Sequence, residues 1–190
     1  MLNMNRTELN KMLAYEKEVY KEKVIYSKSF FLARLKNEMP YRIWKWQRLS
    51  RLTDFYKGGA SSHFLMGILN QFLYLYYIRR KHKIGERLGL EIGTANIGEG
   101  LIVFHCNNVI NGNAIIGKNC HIHGTVVVGN NGKTNDAPII GNNVMIGAGA
   151  KVIGNISIAD NIKIAAGAVV VDSFIEPGIT IGGIPARKLK

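Results

Sequence analysis

The sequence has little cysteine, and its N-terminal residues lead us to expect no secretory leader. Two cysteines among 190 residues, Cys106 and Cys120, are too few for a disulfide framework and lack the spacing of a metal-binding motif. They predict a reduced, cytoplasmic setting. The N-terminal residues are charged and contain no apolar core of the kind that a secretory signal needs. We therefore expect a cytoplasmic protein without disulfide bonds.

Long hydrophobic runs are also scarce. The most apolar stretch, FLMGILNQFLYLYYI at residues 64–78, is interrupted by Asn70 and Gln71. A helix that crosses a membrane needs roughly twenty apolar residues. This stretch predicts a buried or interfacial helix instead of a membrane span.

Positive charge is plentiful, but it is confined to one half of the chain. Residues 1–90 contain 18 Lys and Arg against 7 Asp and Glu, whereas residues 91–190 contain 7 against 6. A basic surface can bind nucleic acid, an anionic membrane or an anionic substrate, although a solvated helical face is the simplest interpretation. No zinc-finger pattern, RNA-binding signature or basic zipper is present, so we expect no nucleic-acid partner.

The basic half, residues 1–88, predicts a region of about four short helices. A segment rich in Glu, Lys and Leu follows an Asn/Thr start signal near residue 5. After Pro40, apolar residues recur at helical spacing, and Gly58 and the residues after it interrupt the pattern before a third helix of about 63–82. The apolar positions after Pro40 are Ile43, Trp46, Leu49 and Leu52.

The period of the hydrophobic residues changes to six near residue 90. Six-residue repeats predict short parallel strands joined by tight turns, stacked as a parallel β-helix with its branched aliphatic residues inside. Residues 129–138, GNNGKTNDAP, interrupt the series and predict an excursion loop, where function is often found. The aligned positions are Ile97, Val103, Val109, Ile116, Ile122, Val128, Ile140, Ile146, Val152, Ile158, Ile164 and Val170.

These coils, together with the GNNGK loop, IGAGAKVIGNISIADN (146–161) and GGIPARK (182–188), resemble the left-handed β-helix acyltransferases. Within that family, the sequence is similar to the serine acetyltransferase-like branch, closest to O-acetyltransferases of capsular and exopolysaccharide clusters. The resemblance implies a mainly β fold, in which the helical region at 1–88 is followed in sequence by a left-handed parallel β-helix at 89–190. It also implies acetyl-CoA as donor, no metal, and a homotrimer with active sites between subunits.

The resemblance also implies a catalytic histidine. The segment IGEGLIVFHCNNVI matches the family's segment around its general base, and the matching residue is His105. Imidazole titrates near neutral pH and suits proton abstraction from an alcohol. LEIGT (90–94) matches the segment whose carboxylate steadies that base, so Glu91 is the second catalytic candidate.

Other positions are matched to the donor and the acceptor. Asp136 in the loop is a candidate contact to the acceptor. The serine enzymes carry a second histidine where this chain has Ala137, which favours a sugar acceptor over serine. The positions expected to bind acetyl-CoA are Gly129, Asn130, Ala148 and Ala166 along the coil edge, with Lys133, Arg187 and Lys188 for its phosphates.

His121 and His123 flank Ile122 and should project outward. With His105 they do not have the spacing of the zinc ligands in related carbonic anhydrases, so we interpret them as surface or interface residues.

The sequence thus predicts an acetyl-CoA-dependent O-acetyltransferase that modifies a sugar of a surface polysaccharide, with possible peripheral contact between the basic helices and the inner membrane face. The alternatives are a serine O-acetyltransferase of cysteine biosynthesis and a non-catalytic scaffold.

Overall fold

The computed structural model describes residues 4–25, 29–58 and 64–189. The chain divides into two compact units, Met1–Leu88 and Gly89–Lys190. The first unit is helical, and the second is built from short strands.

The helical unit contains four helices among its described residues. The side chain of Asn5 accepts a hydrogen bond from the amide of Glu8, whose own side chain caps the amide of Asn5, so this pair fixes the start of the first helix. Pro40 lies in the first turn of the third helix, where proline is tolerated. The helices are α1 (Arg6–Lys23), α2 (Phe30–Leu35), α3 (Met39–Gly58) and α4 (Phe64–Leu88).

The apolar positions predicted after Pro40 form the inner side of α3. All four, Ile43, Trp46, Leu49 and Leu52, are buried, as the helical spacing predicted. The predicted break at 58–62 begins at Gly58, the last residue of α3, and its other residues lie outside the described ones.

Two polar contacts are buried beside this apolar row. Arg51 of α3 donates to Glu16 of α1 at 2.8 Å, and the hydroxyl of Tyr20 donates to Gln47 at 3.0 Å. The two charged side chains are 5% and 2% exposed, so their pairing is needed to offset the cost of removing them from water.

The apolar run at 64–78 lies within α4, which continues to Leu88. Leu65 is 78% exposed and Phe72 is 67% exposed, so of the two predicted alternatives the buried helix is wrong for this side of α4, and the interfacial helix stays a prediction. No described helix is both long and apolar enough to cross a membrane.

The second unit winds its strands onto three parallel sheets, as the six-residue period predicted. Each turn of the chain adds one strand to each face, and neighbouring coils pair in parallel. The first face contains β1 (Leu90–Ile92), β3 (Asn108–Ile110), β6 (Val127–Gly129), β9 (Lys151–Ile153) and β12 (Val169–Val170). The second face contains β4 (Ile115–Ile116), β7 (Ile139–Ile140) and β10 (Ser157–Ile158). The third contains β2 (Ile102–Val103), β5 (His121–Ile122), β8 (Met145–Ile146), β11 (Lys163–Ile164), β13 (Thr180–Gly183) and the antiparallel β14 (Ala186–Lys188).

The interior of the coil is lined by branched aliphatic residues of the strands, with one correction to the predicted set. Val109 is 42% exposed, and Ile110 is the buried aliphatic residue of β3. The chain therefore takes seven residues from Val103 to Ile110, and the additional residue lies in the corner at 104–108. The six-residue phase was assigned one position too early there because Val109 and Ile110 are both branched aliphatics.

The excursion loop leaves the coil after Gly129 and returns at Ile139. Ile116 and Ile140 remain in register across it, so the insertion does not disturb the second face. The side chain of Asn113, in the coil before, donates to the carbonyl of Asn135 at 3.0 Å and holds the loop at its outer part.

Candidate active site

The corner that carries the additional residue also carries His105. It joins β2 on the third face to β3 on the first face. Asn107 adopts a left-handed conformation with φ of 63°, which lets the chain turn within this longer corner.

A buried amide fixes this corner from inside. The Asn108 side chain is fully buried; it donates to the carbonyl of His105 at 2.8 Å and accepts from the amide of Val126 at 2.9 Å. The backbone that carries His105 is thereby tied to the next coil. An additional residue would otherwise leave buried polar groups without partners.

The imidazole of His105 is exposed in the single chain, as predicted. Its near neighbour in the next coil is Gly124, where an added Cβ would lie 3.0 Å from the Cβ of His105. A side chain at position 124 would therefore push against the histidine. The absence of a side chain there leaves room beside the imidazole.

Phe104, His121 and His123 form a cluster of rings, of which His123 lies nearest to His105. Phe104 stacks on His123 with ring centroids 4.8 Å apart and meets His121 edge-on at 5.8 Å. The rings of His105 and His123 are 6.4 Å apart. Partial burial, together with the nearby charge of His105, lowers the pKa of His123 below its ordinary value. His123 is therefore a neutral imidazole near neutral pH.

The predicted outward projection of His121 and His123 is confirmed, with both side chains half-buried. Among residues 4–25, 29–58 and 64–189, no three His, Cys, Asp or Glu side chains converge as a metal site requires. Burial raises the pKa of the Cys120 thiol to about 11, which makes this cysteine a poor nucleophile.

Two of the residues matched to the donor lie on the same edge as His105. Ala148 and Ala166 occupy the corners that join the third face to the first in later coils, and both are exposed. The corners are linked by hydrogen bonds from Gly149 to Gly124 and from Gly167 to Ala148. His105 and Ala166 are three strand spacings apart, so the distance between their corners along the coil is about 14 Å. We call this row of corners the His105 edge.

The other predicted loop and donor residues lie on a different edge, which joins the first face to the second. Gly129 and Asn130 are half-buried there, and Lys133 and Asp136 are exposed in the excursion loop. Asn155 of a later coil contacts Asp136 at 3.4 Å. One chain therefore does not bring these residues together with the His105 edge.

Two of the three predicted phosphate ligands, Arg187 and Lys188, lie at the end of the coil. Arg187 forms an ion pair with Asp172 at 3.1 Å, and Lys188 pairs with Glu176 at 2.7 Å. Both pairs are largely exposed and so are weak enough to be replaced by an anionic ligand. Arg187 pairs in the sheet with Gly182, which lies close to Ala165 beside the His105 edge.

Glu91 is exposed on β1 and lies in register with Val109 of β3. Among the described residues, no hydrogen bond or ion pair joins it to His105. Its role beside the histidine stays a prediction.

Phe104, Asn108 and Gly124 were missed by the sequence analysis, although all three contact or support the histidines. The seven-residue step from Val103 to Ile110 was the available signal, because an interrupted repeat marks a corner that differs from its neighbours.

The chain is similar to known acyltransferases in both sequence and structure. Residues 137–172 match the family described as bacterial transferase hexapeptide (six repeats). A serine acetyltransferase of Buchnera aphidicola (subsp. Schizaphis graminum) is 34% identical over 134 residues, which cover 68% of this chain and 50% of that protein. The chain thus spans about half the length of the curated relatives it matches.

Solved structures of serine acetyltransferases are also similar to this chain. Serine acetyltransferase of Neisseria gonorrhoeae, in complex with serine, is 30% identical with a TM-score of 0.70 and covers 97% of this chain and 70% of that one. The soybean enzyme complexed with serine is 25% identical with a TM-score of 0.73, covering 95% and 69%. The coil and these similarities define a transferase of the hexapeptide-repeat class. Within that class, the chain belongs to the serine acetyltransferase family.

The similarities correct the predicted acceptor. A sugar O-acetyltransferase close to the capsular enzymes is not supported, because the named relatives and neighbouring structures are serine acetyltransferases. The contrary argument rested on Ala137, where a histidine was expected. Ala137 is only 7% exposed in the chain, so a missing imidazole at this position says little about which acceptor binds at the surface.

Proposed function

We propose that the protein is an acetyl-CoA-dependent serine O-acetyltransferase with His105 as its general base. The observation that carries the proposal is the similarity to serine acetyltransferases across the whole coil. The exposed imidazole on a corner fixed by Asn108 supports it.

The proposed reaction follows from the chemistry of imidazole. The Nε2 or Nδ1 atom of His105 accepts the hydroxyl proton while the oxygen attacks the thioester carbonyl carbon. The C–O bond forms, the carbonyl electron pair moves to oxygen, and collapse of this intermediate breaks the C–S bond. The imidazolium then returns its proton to the leaving thiolate, so the base is regenerated without another reactant.

The His105 edge is our proposed path for the donor. Ala148 and Ala166 lack side chains that would keep a slender pantetheine arm away from the backbone. The thioester would lie beside His105 and the phosphates near Arg187 and Lys188. The exposed cationic side chains suit the charge of that end.

We further propose a homotrimer in which the loop edge of one subunit faces the His105 edge of the next. This arrangement forms a shared site that one chain does not form, and it brings to that site Gly129, Asn130, Lys133 and Asp136. We also propose that the coil is left-handed, as the resemblance implies. Sedimentation equilibrium tests the assembly, and a monomer with full activity would contradict it.

For the helical unit we propose peripheral contact with an anionic membrane surface. Leu65, Leu69, Phe72 and Tyr76 are exposed at the spacing of one helix face, and basic residues from Arg79 onward follow on α4. An apolar face beside cationic residues is typical of helices that lie in a lipid interface.

Vesicles test the membrane contact. We expect co-sedimentation with phosphatidylglycerol vesicles and not with phosphatidylcholine vesicles, and loss of binding in Phe72→Glu. Equal recovery with both vesicles, or unchanged binding by Phe72→Glu, would contradict the contact.

The enzymatic proposal is tested by following CoA thiol release with acetyl-CoA and a panel of acceptors. We expect release that depends on L-serine and a product with the mass of O-acetylserine. CoA release that does not depend on L-serine but increases with another acceptor would overturn the assignment. N-acetylserine, which presents the hydroxyl without the free amine, is the matched control for recognition of the amino group.

A further inference from the structure

His123 is a second histidine at the candidate site that the proposed mechanism does not use. It lies one coil beyond Phe104 on the third face, in the same coil as Gly124, which is the neighbour of His105. The following corners of the His105 edge carry Ala148 and Ala166. His123 is therefore at the point where a donor lying along this edge would present its thioester to the base.

The orientation of His123 is fixed by its neighbours. Its ring is stacked on Phe104 at an interplanar angle of 11°, and its side chain is half-buried. A stacked ring has its nitrogen atoms at the edge, so the polar atoms stay available while the face is covered. Such a held ring loses little freedom when it forms a hydrogen bond.

The distance to His105 leaves room for a reacting group. With ring centroids 6.4 Å apart, the two imidazoles are near enough to contact the alcohol and the carbonyl of the same reacting pair. One ring can then accept the proton of the alcohol while the other faces the carbonyl oxygen.

The protonation state of His123 suits a hydrogen-bond donor that does not compete with His105 for the proton of the alcohol. The titratable groups near it are His105, at 6.4 Å, and His121, which shares the Phe104 ring. Burial and the charge on His105 lower the pKa of His123. A neutral imidazole still has one N–H, and it does not repel the imidazolium that forms on His105.

We propose that His123 is a catalytic residue that donates its ring N–H to the thioester carbonyl oxygen and stabilises the oxyanion. When the alcohol attacks, the carbonyl electron pair moves to oxygen, and the hydrogen bond from His123 strengthens as negative charge develops. The pair returns when the C–S bond breaks, and His123 keeps its proton throughout. This inference rests on the proposed acetyl transfer and adds a second role to the same site.

Steady-state kinetics of two substitutions test the role. His123→Leu should lower kcat roughly 100-fold, the usual effect of removing one oxyanion donor, with KM for acetyl-CoA changed less than about threefold. His123→Gln should recover part of that loss, because its amide N–H can donate. A structural role would not separate Gln from Leu in kcat while leaving KM unchanged.

His121→Gln is the matched control, because His121 lies on the same strand and touches the same Phe104 ring. We expect its kcat to equal that of the unmodified protein, and thermal unfolding of all three variants to coincide. A kcat of His123→Leu within a factor of three of the unmodified protein would overturn the proposal.

A binding measurement separates this inference from the identity of the acceptor. In protein labelled with ¹⁵N-histidine, acetyl-CoA should shift the ring N–H signal of His123 downfield, and free CoA, which lacks the thioester carbonyl, should not. A signal that responds equally to both ligands overturns the oxyanion role. Serine-dependent turnover is not needed for this result, so failure of the serine assignment is seen in the acceptor panel and failure of the oxyanion role is seen here.

Discussion

The two units of this chain obtain their order in different ways. The helical unit has an irregular core in which a buried ion pair and a buried tyrosine–glutamine contact accompany the apolar residues. The coil repeats one arrangement, with a branched aliphatic residue inside each short strand, and nearly balances its charges. In the first unit polar pairs form part of the interior, whereas in the second the interior is aliphatic apart from a few residues such as Asn108. Polar residues that depart from the repeat are therefore candidates for function in the coil but not in the helices.

The largest expected effect concerns the buried ion pair of the helical unit. Arg51→Met should destabilise that unit by about 3–5 kcal/mol, because Glu16 would remain buried without its partner. Denaturant unfolding followed by tryptophan fluorescence measures it, since both tryptophans, Trp44 and Trp46, lie in α3.

The double substitution Glu16→Leu with Arg51→Met is the control. It removes both charges and should recover most of the lost stability. A parallel loss of CoA release in Arg51→Met would contradict the separation between a structural helical unit and a catalytic coil.

A smaller effect is expected at the corner of the coil that breaks the repeat. Asn108→Ala leaves the part-buried carbonyl of His105 and the buried amide of Val126 without the Asn108 side chain, so we expect about 1–3 kcal/mol of destabilisation. Displacement of His105 should also lower kcat roughly tenfold. Calorimetry and CoA release measure the two effects.

Asn96→Ala tests whether the corner at 104–108 is special. Asn96 also donates from its side chain to a backbone carbonyl, that of Gly112, but it is exposed and lies away from the His105 edge. We expect little change in stability or rate. Equal effects at Asn96 and Asn108 would remove the distinction between the two corners.

The ends of the coil should tolerate change better than the corner. Arg187→Ala breaks an exposed ion pair, so its effect on the free energy of unfolding should be about 0–1 kcal/mol. KM for acetyl-CoA should rise a few-fold if this side chain meets a phosphate, with kcat unchanged. Glu176→Ala, which frees Lys188 without removing a cation, should not raise that KM.

The smallest predicted effect is a change in titration. In His105→Gln the pKa of His123 should rise, because the charge of His105 no longer opposes protonation, yet stay below its ordinary value because partial burial remains. Histidine NMR over a pH series measures it. A pKa of His123 that does not move would contradict the coupling of the two rings.

The lowered pKa of His123 also predicts how the free energy of unfolding depends on pH. Because the folded pKa of His123 is lowered, the unfolded chain binds more protons as pH falls below the ordinary value of 6.5. Its contribution to stability is therefore complete above that pH and is lost on acidification.

The coil could be predicted from the sequence because its period depends only on which residues face inward. The position of Ile110 could not, since Val109 fits the same pattern and only the hydrogen bonds of the corner decide between them. The exposed side of α4 was likewise missed, because an apolar run shows that a helix has an apolar face but not what covers it. His105 was found through resemblance, whereas its contacts with Gly124, Asn108 and the Phe104–His123 stack depend on neighbouring coils far apart in sequence.

The central claim, that the imidazole on the corner between β2 and β3 accepts the proton during acetyl transfer, is tested most directly by kcat of His105→Gln with acetyl-CoA and L-serine. Loss of a general base predicts a fall of roughly 10²–10⁴-fold with unchanged thermal unfolding, since the side chain is exposed. Turnover within a few-fold of the unmodified protein would contradict it.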